Sequence, residues 1–325
     1  MDYKTCNRCN NSFPATSEYF YVNDKNKKDG LYPYCKSCAI KKAKVRNIEF
    51  SEDIKDKSQI KRYKNRGIKP PFSYMGNKYY MFSEIYKCLP DKINTFVDVM
   101  CGSGMVGSNI TANKIILNDI DKNMIECLRE MYLVDNFVKR TKEIRITCLD
   151  EYKNGIIEFN KAKDIILFYV LVQYAYNQSP QYNKSGLFNA PYMNNKCYLN
   201  NYLLKRINDF SKMIKEKDIE FTNNDYKYFY DYHFKENDFV FIDPPYTGTC
   251  ASYNFKWGDN DDKELCLFLD YLDGVGVKFM MINSGNNKII CEWGEKYNMM
   301  VVGKSKYKTT NKNGTDSFEI MIRNY

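Results

Sequence analysis

Histidine is nearly absent from this chain, which has a single one, His233, among 325 residues. A Ser/His or Cys/His mechanism is therefore excluded unless His233 takes part, and a zinc site would have to be built almost wholly from cysteine.

No apolar run approaches the ~20 residues that span a bilayer, and the polar N-terminus lacks a signal-peptide core. We therefore expect no membrane segment, and we expect the 12 cysteines to be thiols or metal ligands in a reducing cytoplasm.

Positive charge and aromatic residues are plentiful by contrast. Lys and Arg number 49 against 40 Asp and Glu, a net charge of +9, and aromatic residues make up 16% of the chain. A basic balance favours a polyanionic partner, and some of the aromatic rings could stack on bases. The hydrophobic share of 44% indicates a globular chain with one large domain and a small appendage.

Two C-x-x-C pairs stand near the start of the chain and consist of Cys6, Cys9, Cys35 and Cys38. Each pair can offer two thiolates to one tetrahedral ion, so together they predict a structural zinc site in a zinc ribbon over residues 1–45. A segment this short would not be stable through an apolar core alone. A redox role for the thiols is the alternative. A basic linker follows over residues 46–68, where lysines and arginines would either follow a DNA backbone or form a solvated face.

The most informative stretch ends a predicted apolar strand and reads Asp243-Pro244-Pro245-Tyr246. An amino nitrogen conjugated to a ring is a poor nucleophile because its lone pair is delocalised. The Asp243 carboxylate and the Pro244 carbonyl can both accept hydrogen bonds from such an amine, and the prolines remove two backbone donors. Tyr246 offers a face on which an extruded base can stack. The stretch therefore predicts methylation of a ring amine, and the alternative is a strand that ends in a simple Pro-Pro turn.

A second pattern lies upstream and is typical of a nucleotide-binding corner. A predicted strand over residues 95–99 carries Asp98 and leads to Gly102 and Gly104, whose small size allows close backbone approach. Asp119 follows the next predicted strand, where a carboxylate can bind ribose hydroxyls. The pattern predicts a doubly wound α/β sheet.

Taken in order, the motifs PFSYMGNK, FVDVMCGSG, NDID and DPPY resemble the Dam-like, or alpha, group of DNA adenine-N6 methyltransferases. The resemblance runs from about Pro70 to the last residue and includes the phrases YNKSGLFNAPY and EIMI. It implies an S-adenosylmethionine-dependent methyltransferase domain over residues 69–325. Its fold would be a Rossmann-like, seven-stranded sheet with a helical target-recognition insert over residues 130–205.

The resemblance also assigns roles to single residues. Those expected to bind S-adenosylmethionine are Tyr74, Lys78, Asp98, Gly102, Gly104, Asp119 and Asp225. Asp225 would contact the adenine of the cofactor, and the catalytic residues would be Asp243, Pro244, Pro245 and Tyr246. Each acid has a structural alternative as a helix cap or a solvated turn.

Contacts to double-stranded DNA are expected from the recognition insert and from the segment that precedes the cofactor corner. The residues concerned are Ser73, Gln181, Tyr182, Asn183, Lys184 and Pro191. Relatives that read GATC carry a basic side chain at the position of Ser73 and an arginine at that of Gln181. Arginine suits guanine and glutamine suits adenine, so we expect a recognition site other than GATC.

These patterns predict a site-specific adenine-N6 DNA methyltransferase that acts, as a monomer or weak dimer, in the cytoplasm of a bacterial cell or a phage-infected host. A role in restriction-modification fits this prediction. The alternatives are methylation of a cytosine N4 amine or of RNA, and a catalytically idle DNA-binding regulator with the same fold.

Overall fold

The computed structural model describes residues 3–6, 11–22, 29, 31–35, 67–72, 76–193, 199–247, 257–304 and 318–325. The chain divides into two compact units, Met1–Arg62 and Tyr63–Tyr325.

The described part of the first unit consists of two short hairpins. Strand β1 (Tyr3–Thr5) pairs antiparallel with β2 (Ser12–Pro14), and β3 (Phe20–Val22) pairs antiparallel with β4 (Leu31–Cys35). Their small core is formed by Cys6, Phe20, Leu31 and Cys35.

Two of the four predicted zinc ligands lie in this core. The backbone amide of Cys35 donates a hydrogen bond to Cys6 Sγ at 3.2 Å. Cys9 and Cys38 lie outside the described residues. Among the residues that are described, no group of three or more His, Cys, Asp or Glu side chains is placed to hold a metal ion. The four-cysteine zinc ribbon therefore stays a prediction.

The second unit is built on one large sheet. Its strands within the described residues are β5 (Thr95–Asp98), β6 (Lys114–Asn118), β7 (Ile219–Thr222), β8 (Phe239–Ile242), β9 (Lys278–Ser284), β10 (Asn298–Lys304) and β11 (Phe318–Arg323). They lie in the order β10-β11-β9-β8-β5-β6-β7, and only β11 runs antiparallel to its neighbours. The predicted α/β methyltransferase fold with a mostly parallel, seven-stranded sheet is confirmed.

Helices connect these strands. Those described are α1 (Phe82–Lys87), α2 (Lys122–Leu133), α3 (Phe137–Glu143), α4 (Leu149–Ala162), α5 (Ile165–Tyr174), α6 (Asn201–Lys215), α7 (Asp259–Gly274) and α8 (Lys288–Gly294). Three of them, α3 to α5, lie entirely within the predicted insert, which is thus mostly helical. None of the described helices is both long and apolar enough to cross a membrane.

The sheet is covered on both faces, which explains why the central strands β5 and β8 are buried along their whole length instead of alternating. Phe96 and Phe241 belong to the apolar cluster on one face. Their chain neighbours Val97, Val240 and Ile242 belong to the cluster on the other. Burial on both faces fixes strand register, because a slip by one residue would exchange the two sets.

Candidate active site

The two sequence motifs meet at the carboxyl ends of adjacent parallel strands. Asp98 of β5 stands opposite Phe241 of β8 in the ladder, and the Val99 amide donates to the Phe241 carbonyl at 3.2 Å. From β5 the chain proceeds to β6 and β7 on one side and later returns to β8 and β9 on the other. The crevice at such a reversal is where open α/β sheets bind their ligands.

Backbone geometry after β5 explains the glycines. Gly102 and Gly104 have φ values of +49° and +71°, a region that side chains disfavour. Gly107 completes a G-x-G-x-x-G spacing that the sequence interpretation did not use. A Cβ added there would lie 2.4 Å from Leu117 Cδ2. The Gly107 amide donates to Asp98 Oδ2 at 3.0 Å, so this third glycine lets the loop pack directly against the strand-end acid.

Asp98 is almost fully buried, with 1% of its surface exposed. Its other oxygen, Oδ1, has no hydrogen-bond partner among the described residues. Burial raises the pKa of Asp98 well above its usual value, against the lowering effect of the Gly107 amide. A carboxyl group in this state suits a cationic ligand, which would supply both the missing partner and the missing charge.

Asp119 holds the glycine loop from the end of β6. Its carboxylate accepts from the Gly102 amide at 2.7 Å and from the Asp121 amide at 2.9 Å. Burial raises its pKa, and these backbone hydrogen bonds oppose the rise.

Asp225 lies beyond the end of β7 and is exposed. It caps the short 3-10 helix Tyr226–Tyr230 by accepting from the Lys227 amide at 2.9 Å. This contact is the structural alternative considered for each acid, and a cofactor contact by Asp225 stays a prediction.

Four side chains form a compact polar cluster at the end of β8. Lys78 Nζ lies 2.7 Å from Asp243 Oδ1 and 3.8 Å from Glu319 Oε2. The Tyr246 hydroxyl lies 3.1 Å from Glu319 Oε2 and 3.4 Å from Asp243 Oδ1. Lys78 also lies over the Tyr246 ring, 5.1 Å from its centroid. Lys78, predicted to wrap the cofactor, thus contacts the carboxylate that is predicted to be catalytic, and Glu319 belongs to this cluster without having been assigned a role from the sequence.

The electrostatics of Asp243 follow from this cluster. The pKa of Asp243 is raised to about 6. Burial is the largest cause, the Lys78 ammonium opposes the rise, and the Glu319 carboxylate adds to it. Among the described residues, Lys78 and Tyr246 both approach Asp243 at Oδ1, and these two contacts leave Oδ2 able to accept from an incoming amine.

The predicted recognition loop forms a small hairpin over residues 181–189, here called the recognition hairpin. The Asn189 amide donates to the Gln181 carbonyl, and Tyr182 bridges to Phe188. The tip is exposed at Asn183 and Lys184.

Within this hairpin the polar side chains have different partners. Asn183 organises the turn, since its side-chain oxygen accepts from the Ser185 and Leu187 amides. Tyr182 is turned inward, and its hydroxyl lies 2.9 and 3.0 Å from the two carboxylate oxygens of Asp121. Its hydroxyl is therefore engaged within the protein.

The other predicted DNA contacts are placed as follows. Gln181 is half-buried at the base of the hairpin, and Pro191 is exposed, with its carbonyl accepting from the Tyr176 amide. Ser73, and with it the predicted cofactor residue Tyr74, lies outside the described residues.

Comparison with known proteins agrees with this geometry. The model of the D12 class N6 adenine-specific DNA methyltransferases matches residues 74–307, more than half of the chain. Type II methyltransferase M.FokI of Planomicrobium okeanokoites is 30% identical over 86% of this chain and 47% of its own length. Modification methylase StsI of Streptococcus sanguinis is 29% identical over 82% and 44%. Modification methylase LlaI of Lactococcus lactis subsp. lactis is 27% identical over 79% and 43%.

The chain spans about half the length of these three relatives. The family match over residues 74–307 includes the glycine corner, the recognition hairpin and Asp243 to Tyr246. The chain belongs to the D12 class N6 adenine-specific DNA methyltransferase family.

Proposed function

We propose that this chain is a site-specific DNA methyltransferase that acts on the exocyclic N6 amine of an adenine flipped out of duplex DNA. The observation that carries the proposal is the placement of Asp243. Lys78 binds its Oδ1, its Oδ2 is contacted by neither Lys78 nor Tyr246 and can accept from an amine, and the glycine corner lies at the end of the adjacent strand.

The residues at the strand ends fit S-adenosylmethionine. Asp98 Oδ1, which is buried and has no hydrogen-bond partner in the described part of the chain, suits the ammonium of the methionine part. Asp119 is held rigidly by two amides at a position suited to ribose hydroxyls. The left-handed Gly102 and Gly104 keep side chains away from the ligand. When bound, the cofactor supplies an electrophilic methyl group.

The chain's own residues prepare the amine. Asp243 Oδ2 and the Pro244 carbonyl accept its two hydrogens, which draws the nitrogen towards a pyramidal and more nucleophilic form. Asp243 performs this role as an anion, and it is also placed to take the proton that the nitrogen loses. Tyr246 supplies the stacking face for the extruded base.

We assign the enzyme to the Dam-like alpha group and expect its recognition hairpin to face the major groove. Gln181 at the base of the hairpin suits adenine, and Lys184 at the exposed tip suits phosphate. Asn183 and Pro191 would add contacts from the same surface. With Ser73 in place of a basic residue, we expect the recognition site to differ from GATC.

A structural zinc ion bound by Cys6, Cys9, Cys35 and Cys38 is a further part of the proposal. It is supported by the burial of Cys6 and Cys35 in one core and by the amide of Cys35 that donates to Cys6 Sγ, a contact that favours a thiolate. Such an ion would stabilise a unit whose described apolar core is small.

We place the enzyme, as a monomer or weak dimer, in the cytoplasm of a bacterial cell or a phage-infected host. The bacterial origin of the three relatives supports this setting.

Transfer of tritium from labelled S-adenosylmethionine to duplex DNA tests the function, with digestion to nucleosides to identify the labelled base. We expect N6-methyladenine from the native chain. We expect a rate lower by roughly 10²–10³-fold for Asp243→Ala, as for the loss of a group that acts at the reacting atom. Cofactor affinity should change little, because the lost oxygens act on the amine.

The matched control is Asp135→Ala, which removes an aspartate whose side chain is 98% exposed. Near-native transfer by Asp243→Ala would rule out its catalytic role. Label on cytosine or on RNA would support the alternative substrates, and no transfer at all would support the idle regulator. Sequencing of modified bases in the same DNA identifies the site, and GATC as the dominant site would refute the proposed readout.

A further inference from the structure

Glu319 reaches the active site from the far end of the chain. It is the second residue of β11, the one strand of the large sheet that runs antiparallel to its neighbours. Its residues at the amino end therefore lie at the edge where the parallel strands end. Glu319 pairs with Ser284, the last residue of β9, and its side chain is 10% exposed.

Among the described residues, the side chain of Glu319 contacts Tyr246 and Lys78 of the polar cluster at the end of β8. Its Oε2 lies 3.1 Å from the Tyr246 hydroxyl and 3.8 Å from Lys78 Nζ. A phenol has one proton and donates it to one carboxylate at a time. The distance to Asp243 is longer, 3.4 Å, so Glu319 is the better acceptor.

We propose that Glu319 is a positioning residue for the methyl transfer: it accepts the hydrogen bond of Tyr246 and shares Lys78 with Asp243. It thereby fixes the ring against which the base stacks, and it spares the Asp243 carboxylate from serving as the acceptor for the phenol. This inference rests on the proposed function, because it concerns the same site.

The electrostatic consequence can be measured. The charged and titratable groups that face Asp243 are Lys78, Tyr246, Glu319 and Asp98. Burial raises the pKa of Asp243 to about 6, Lys78 lowers it and Glu319 raises it. Because Asp243 acts as an anion, activity should rise with pH through this value. Without the Glu319 charge, Asp243 ionises at lower pH.

The test is the pH dependence of kcat for Glu319→Gln. The amide keeps an acceptor for the Tyr246 hydroxyl and removes the charge. We expect the acidic limb of the profile to move down by roughly one pH unit, the lower end of shifts caused by a charge within about 6 Å. The KM for the cofactor should change less than kcat, because Glu319 contacts Tyr246 closely, Lys78 only at 3.8 Å, and neither Asp98 nor Asp119.

Glu319→Asp provides a second measurement if the first variant folds poorly. It keeps the charge but withdraws it by one methylene, so kcat should fall about tenfold while the acidic limb stays close to that of the native enzyme. Glu220→Gln, which removes an exposed acid on the edge strand β7, is the control and should leave the profile unchanged.

An acidic limb that stays in place in Glu319→Gln, whatever the loss of kcat, overturns the inference, because a merely structural role would not move it. Failure of the proposed function looks different, since the native chain itself would then transfer no methyl group to adenine.

Discussion

At the scale of single residues, two aspartates at the ends of neighbouring strands have been given different environments. Among the described residues, one buried oxygen of Asp98 has no hydrogen-bond partner, whereas Asp243 is paired with the Lys78 ammonium. Burial raises the pKa of both, and the Lys78 ammonium lowers both, but Lys78 is in contact with Asp243. The first arrangement suits a ligand that brings its own positive charge, and the second suits a neutral amine that needs an anionic acceptor.

Gly107 allows Asp98 to occupy its position. We expect Gly107→Ala to destabilise the fold by about 1–3 kcal/mol, as overpacking in a core does. Its new methyl group would lie 2.4 Å from Leu117 Cδ2 and 3.1 Å from Asp98 Oδ2. The displaced carboxylate should also weaken the binding of S-adenosylmethionine. Urea unfolding and calorimetric titration measure the two effects.

Gly274→Ala is the matched control for this change. It adds the same methyl group at the end of α7, where nothing lies within 4 Å of the new atom. Equal effects of the two substitutions would contradict the role given to Gly107.

At the scale of elements, the recognition hairpin is attached to the cofactor side of the sheet at Asp121. Asp121 caps α2 by accepting from the Asn123 and Met124 amides, and it receives the Tyr182 hydroxyl from the hairpin. Its own amide donates to Asp119 Oδ1 at 2.9 Å. The hairpin and the proposed ribose acid therefore share a partner.

Tyr182→Phe should reveal this attachment through its dependence on pH. The pKa of Asp121 is raised to about 6, because burial and the nearby Asp119 carboxylate raise it more than the Tyr182 hydroxyl lowers it. The pKa of Asp121 is higher in the folded state than its ordinary value near 4. Ionisation of Asp121 therefore lowers the free energy of unfolding as pH rises from about 4 through about 6. Without the hydroxyl this loss grows, so we expect Tyr182→Phe to destabilise the protein by about 1–3 kcal/mol at pH 8 and by clearly less at pH 5.

Unfolding in urea at both pH values measures the difference. Tyr202→Phe is the control, because that side chain is 65% exposed and should be insensitive to the change. A destabilisation that is the same at pH 5 and pH 8 would show that the hydroxyl does not stabilise a charged Asp121.

Local motifs in the sequence predicted the site residues that lie at the ends of parallel strands. Asp98 and Asp243 each end an apolar strand, and parallel strands place their carboxyl ends at one edge. Glu319 could not be predicted in this way, since its contribution depends on β11 running antiparallel. Lys78 lay in a recognised motif, but its partner is 165 positions away and follows from tertiary packing alone.

At the scale of the whole molecule, much of the aromatic content serves the core. Phe96 stacks on Phe239 and Phe241 within the sheet, and Phe168 packs on Phe159 and Phe188 in the insert. An aromatic share of 16% is therefore weak evidence for base stacking by itself. We expect a nucleic acid substrate because of the site and the family.

The two units of the chain should respond differently to loss of zinc. We expect the purified protein to contain about one zinc ion per chain, as a closed site of four thiolates requires, and Cys35→Ser to contain almost none. Because Cys35 lies in the core of the first unit, this variant should lose the structure of that unit. Its affinity for S-adenosylmethionine should be retained, because Asp98 and Asp119 belong to the second unit. Metal analysis, limited proteolysis and cofactor titration measure the three quantities.

Cys148→Ser, at an exposed cysteine of the second unit, is the control and should keep its zinc. Native protein that is free of zinc when freshly prepared, or a disulfide that links these cysteines, would contradict the proposed site.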